Sequence, residues 1–67
     1  MAEKLWMDMR GYAAAMGVSV QTVRRWISQG RIPRPTRLGH RIHRWRVEVI
    51  SKHLIFGPQE KGTYANH

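Results

Sequence analysis

Three observations in the sequence predict a small α+β fold, mainly α. Two short apolar stripes of helical period are separated by Gly17-Val18, a proline- and arginine-rich stretch of alternating residues follows, and a third apolar stripe comes after it. At 67 residues the chain holds one small core. It has no cysteine, so apolar packing and helix caps must hold it together without disulfides or thiolate metal sites.

The first helix is expected from Met9 to Met16. Asp8 precedes it as a cap, because a carboxylate accepts from the free amides of the first turn and suits the positive end of the helix dipole. Met9, Tyr12, Ala13 and Met16 fall at i, i+3, i+4 and i+7, one stripe that must be buried. Gly17 supplies the positive φ that ends the helix, and Val18 follows as an apolar plug.

Ser19 then caps a second helix, Val20 to Gln29, which Gly30 closes and Pro33 cannot continue. Val20, Val23 and Ile27 form its inner stripe with Trp26 on the shoulder. Gln21, Thr22, Arg24, Arg25 and Ser28 are left facing outward. Two short helices joined this way match a helix-turn-helix, whose second member enters the major groove of DNA.

From Arg31 to Trp45 the pattern changes. Pro33 and Pro35 exclude helix, and Leu38-Gly39-His40 is placed as a tight reversal between short strands at Arg37-Leu38 and Arg41-Ile42-His43. Arg34, Arg37, Gly39, His40 and Arg41 make this hairpin a basic wing, directed at the minor groove or at phosphates. Trp45 leads into a third helix, about Arg46 to Leu54, that lacks a capping side chain. The expected architecture is thus a winged helix-turn-helix over residues 1–54. Residues 55–67 show neither period and are expected to form a flexible tail. The core is assigned to Trp6, Tyr12, Met16, Val20, Val23, Trp26, Ile27, Trp45, Ile50 and Leu54.

Charge points to the partner. Twelve Lys and Arg stand against four Asp and Glu, a formal net charge of +8, and such an excess costs self-repulsion unless a polyanion relieves it. No acid lies between Asp8 and Glu48, whereas Arg24, Arg25, Arg31, Arg34, Arg37, Arg41, Arg44 and Arg46 all do. Arginine offers a planar fork that grips a phosphate or a guanine edge in bidentate fashion. A surface built only for solubility would mix signs. Double-stranded DNA is the expected partner.

Reading a base requires reach from the N-terminal half of the helix. Arg25 can pair with O6 and N7 of guanine and Gln21 with N6 and N7 of adenine; the two are four apart and share a face, with Thr22 and Arg24 beside them. Arg10, Arg44 and Arg46 read as phosphate contacts or plain surface charge. Trp6, Trp26 and Trp45 adjoin apolar stripes, which favours packing over base stacking. His40 and His43 are three apart on a hairpin and so fall on opposite faces, a poor metal site. There is no carboxylate pair, nucleophile triad or phosphate loop, so neither an enzyme nor a cofactor is expected. No apolar run is long enough to cross a bilayer and no signal peptide precedes the domain, so the expected place is the cytoplasm.

The run Ser19-Val20-Gln21-Thr22-Val23-Arg24-Arg25-Trp26-Ile27, followed by Arg31-Ile32-Pro33-Arg34-Pro35, resembles the lambda-type phage excisionases, or recombination directionality factors. Gly30-Arg31-Ile32-Pro33 and Arg37-Leu38-Gly39 also resemble AlpA-like regulators within the wider MerR-like winged-helix group. The excisionase resemblance implies a bacterial or phage-encoded protein that bends DNA beside an attachment site, associates cooperatively with its own copies and directs a tyrosine-recombinase integrase toward excision. It places Gln21, Thr22, Arg24 and Arg25 in the major groove and Gly39 to Arg41 in the minor groove. Gln21 stands where the lambda excisionase has glutamate, which implies a different base preference. The tail after Leu54 is shorter and less basic than in that family. The AlpA resemblance implies a transcription regulator. A basic RNA-binding or protein-adaptor module is the alternative of another class, distinguished by competition between duplex DNA and structured RNA.

Overall fold

The computed structural model describes residues 6–64. Three helices and a three-stranded antiparallel sheet follow in the order β1 (Trp6–Met7), α1 (Met9–Met16), α2 (Val20–Ser28), β2 (Thr36–Gly39), β3 (Ile42–Arg46) and α3 (Val47–Ile55). This arrangement is the winged helix-turn-helix that the sequence predicts.

The two N-terminal helices begin and end where their punctuation demands. Asp8 stays extended and its carboxylate accepts the Gly11 amide at 2.8 Å. Gly17 takes a left-handed φ of 72°, and the Val18 amide returns to the Ala13 carbonyl at 2.9 Å, which closes α1. Ser19 then caps α2 by accepting the Thr22 amide at 3.2 Å. Three residues of non-helical chain, Gly17, Val18 and Ser19, thus turn α1 into α2, and the helices pack on each other.

The hairpin differs from its expected form. β2 and β3 are paired from Thr36 opposite Arg44 to Gly39 opposite Ile42, so the reversal lies at His40-Arg41 and not at Leu38-Gly39-His40. Arg41 supplies the left-handed residue, with φ 64°, whereas Gly39 remains in the strand. The register shifts between Arg37 and Gly39, so Leu38 is an extra residue that bulges the strand. Trp45 belongs to β3 and does not lead the helix; α3 begins at Val47, with Arg46 as a cap that lends no side-chain bond. β1 adds to the free edge of β3, Trp6 opposite Arg46 and Met7 opposite Trp45.

The core is Tyr12, Ala13, Val23, Ile32, Trp45 and Ile50. Tyr12 sits at its centre, edge-on to both Trp26 and Trp45 at centroid distances of 6.3 and 5.6 Å. The Trp45 indole N–H donates to the Pro33 carbonyl at 2.7 Å, which fastens the loop before the wing to the sheet. Met16, Val20, Trp26, Ile27 and Leu54 pack around this centre while half-buried. Trp6 departs from its expected place. It is half-buried outside the cluster, and the Arg46 guanidinium lies 5.5 Å from its ring.

A further departure concerns the chain after Ile55. Where a flexible tail is expected, the described residues up to Tyr64 return along the C-terminal end of α2. The amides of Gln59, Gly62 and Tyr64 donate to the carbonyls of Arg31, Gln29 and Gly30 at 2.7, 2.7 and 2.8 Å. The segment has no side-chain period because backbone groups do the pairing. Its remaining residues, 65–67, lie outside the described residues.

Candidate nucleic-acid interface

Helix α2 turns one side to the core and leaves the other exposed. At about 100° per residue, Val23 and Ile27 turn inward with Val20, and Gln21 and Arg25 point the opposite way. The burial agrees: Val23 is fully buried, Val20 and Ile27 are half-buried, and Gln21, Arg24, Arg25 and Ser28 are exposed. Gln21 and Arg25 therefore form the outermost ridge of the helix. Arg24 is rotated toward the wing side.

Three of the expected groove residues have partners within the protein. The Ser19 hydroxyl holds the cap and lies 3.1 Å from the Thr22 hydroxyl, and the Ser28 hydroxyl donates to the Arg25 carbonyl at 2.8 Å. Ser19 and Ser28 thus serve the helix ends. Thr22 is half-buried.

The wing stands beside this helix. Arg37 of β2 is paired with His43 of β3 and so lies on the same face of the hairpin. His43 is two residues before the buried Trp45 along the strand, so that face is the one turned toward the helices. A cleft of about 610 Å³ opens there, lined by Met9, Arg24, Ile27, Arg34, Pro35, Arg37 and His43. It continues through Met9, Arg24 and His43 into a second hollow of about 360 Å³, where Asp8, Arg10, Val20, Arg41 and Arg44 join the lining. His40 and Arg41 are exposed at the hairpin tip and Gly39 is half-buried in β2.

The arginines divide into two populations. Arg31 is half-buried, donates its Nε–H to the Gln59 carbonyl at 2.9 Å and lies over Trp26 at 5.6 Å from the ring centroid. Arg46 is ion-paired with Glu48 at 3.0 Å besides covering Trp6. These two brace the fold. Arg10 of α1 and Arg24, Arg25, Arg34, Arg37 and Arg41 of the α2 and wing region are exposed, and with half-buried Arg44 they give this side of the molecule its positive charge. Among the described residues the ion pair of Arg46 involves none of them.

Sequence reasoning missed His53. It is the buried polar side chain of α3, three residues after Ile50 on the same face, and that spacing was the available signal. Its pKa is pushed below the ordinary histidine range, chiefly because burial disfavours the imidazolium, against an opposing hydrogen bond to the Gly57 carbonyl and with a lesser repulsion from Lys52. Burial likewise raises the pKa of Tyr12, partly offset by the Arg31 charge, and its hydroxyl donates to the His53 carbonyl at 3.1 Å. His53 lies under the C-terminal segment and is a structural residue. Among the described residues no group of three or more His, Cys, Asp or Glu is placed to hold a metal ion, and no helix is long and apolar enough to cross a membrane.

The family model described as MerR family regulatory protein matches residues 13–42, from within α1 through α2 to the start of β3. The match covers the turn, α2 and most of the hairpin. No curated protein and no solved structure matches the chain. Geometry and match together identify a helix-turn-helix of the DNA-binding group.

Proposed function

We propose that this protein reads duplex DNA, with α2 in the major groove and the hairpin against the adjoining backbone and minor groove. The observation that carries the reading is the exposed Gln21-Arg25 ridge on a helix whose opposite side is locked into the core. Arg25 pairs with guanine and Gln21 with adenine, while Thr22 and Arg24 flank them. Arg34, Arg37, Gly39, His40 and Arg41 of the wing hold the register along the duplex.

Within that reading we propose an excisionase: a protein that occupies adjacent sites beside an attachment site, bends the DNA and directs an integrase toward excision. Support comes from the resemblance of the Ser19 to Ile27 run to lambda-type excisionases. A footprint on attachment-site DNA with and without integrase tests it. Adjacent protected sites, a bend and stimulation of excision are expected; a single isolated site without a bend and without effect on recombination contradicts it.

One finding favours a second reading, a transcription regulator of the AlpA kind. The matched family model is that of regulatory proteins. It uses the same helix and wing, and a reporter fused to the bound site separates the two.

A further inference from the structure

Arg10 is on α1, outside both the docking helix and the wing, yet it lines the same continuous cleft as Arg24 of α2 and Arg37 of β2. We propose that this cleft is the seat of one sugar-phosphate strand of the duplex, with Arg10, Arg24 and Arg37 as its phosphate ligands. The proposal rests on the DNA-binding reading and assigns separate tasks to neighbouring arginines.

The lining has two chemistries. Met9, Val20, Ile27 and Pro35, all half-buried, make an apolar floor, and the arginines make a cationic rim in which the His43 ring also stands. A free inorganic anion would use the rim and leave the floor bare. A deoxyribose-phosphate chain uses both, laying sugar carbons on the floor and phosphate oxygens on the guanidinium forks.

Position gives direction to the strand. Arg24 is shared by both hollows, so it is the middle contact. Arg37 and Arg34 stand in the larger hollow, and Arg10 in the smaller with Arg41 and Arg44. Asp8 also lines the smaller hollow, with one carboxylate oxygen accepting the Gly11 amide. The anionic strand must therefore pass on the Arg10 side of Asp8. Arg24 is then drawn away from the base edges that adjacent Arg25 faces.

The test measures binding of the intact chain to its selected duplex site and to a random duplex over a range of salt, for the wild type and for Arg10→Ala, Arg37→Ala and Arg46→Ala. None of the three side chains belongs to the buried core, and a thermal melt of Arg46→Ala checks that losing its contacts with Trp6 and Glu48 leaves the chain folded. For Arg10→Ala and Arg37→Ala, affinity should fall by the same factor on both duplexes, with the salt slope reduced by about 1 each. Arg46→Ala, whose charge is engaged by Glu48, should keep the wild-type slope. A duplex with one phosphate neutralised as methylphosphonate should lose affinity for wild type and not for the matching arginine variant. Wild-type affinity and slope in Arg10→Ala and Arg37→Ala, while Arg25→Ala still relaxes site preference, would overturn the cleft and leave the DNA reading standing. A wild-type chain that binds neither duplex overturns both.

Discussion

The Nε2 of buried His53 lies 2.9 Å from the Tyr64 hydroxyl, joining the last turn of α3 to the far end of the described chain. Its Nδ1 faces the Gly57 carbonyl at 3.3 Å, and a carbonyl can only accept, so Nδ1 carries the proton and Nε2 accepts from Tyr64. Protonation would place two donors on the ring and force the tyrosine hydroxyl to turn.

A pH dependence of stability follows. The folded-state pKa of His53 is depressed, so the unfolded chain binds the proton more readily and stability rises with pH through this window. The contribution is complete above the ordinary histidine value of about 6.5 and is lost as pH falls from there toward the folded value. The Tm should be lower at pH 5.5 than at pH 7.5. His53→Gln should flatten that difference, and Tyr64→Phe should cost about 1 kcal/mol at neutral pH by leaving Nε2 unpaired.

Gly30→Ala should loosen the same segment by another route. Gly30 has φ 73°, which an L side chain adopts at a cost of about 1–2 kcal/mol, and a Cβ there would collide with the Tyr64 carbonyl oxygen. Chemical denaturation should show a loss larger than the backbone term alone. Hydrogen exchange at the Tyr64 amide, which donates to Gly30, should quicken.

Trp45→Phe keeps an aromatic ring beside Tyr12 but removes the N–H that donates to Pro33. About 1–3 kcal/mol should be lost, because the carbonyl loses its partner in a part-buried site. The effect should extend to DNA binding, since Pro33 leads into the wing. Equal stability of the two proteins in urea would remove the bond from the account.

Arg25→Ala and Arg41→Ala should separate reading from holding. The first should cost about 1–3 kcal/mol on the preferred site and relax preference at one base pair; the second should weaken all duplexes alike. Parallel binding curves on preferred and random DNA check this. Equal losses for Arg25→Ala on both would dismiss it as a base reader.

What could be read in the sequence is what local chemistry dictates. Asp8, Gly17 and Ser19 act through their own neighbouring amides and carbonyls, so α1 and α2 were legible to within a residue or so. The two-residue strand at Trp6–Met7 has no pattern of its own and exists because the edge of β3 is there to pair with. Ile32 is fully buried although it stands between prolines and arginines without period; the chain before the wing is drawn inward by the Trp45 bond to Pro33. The reversal moved to His40-Arg41 because a bulge at Leu38 shifts the register, which no turn signal near Gly39 announces. Of the candidate site, the outward ridge Gln21-Arg25 followed from period alone. That Arg10 and His43 line one cleft with Arg24 depends on how α1 and the hairpin pack about α2.

The central claim, that α2 and the wing read duplex DNA, is tested most directly by selecting bound sequences from a randomised duplex pool. Enrichment of a defined site containing guanine is expected, with affinity that falls steeply as salt rises. Recovery of no common sequence, or tighter binding to structured RNA than to any duplex, would contradict it.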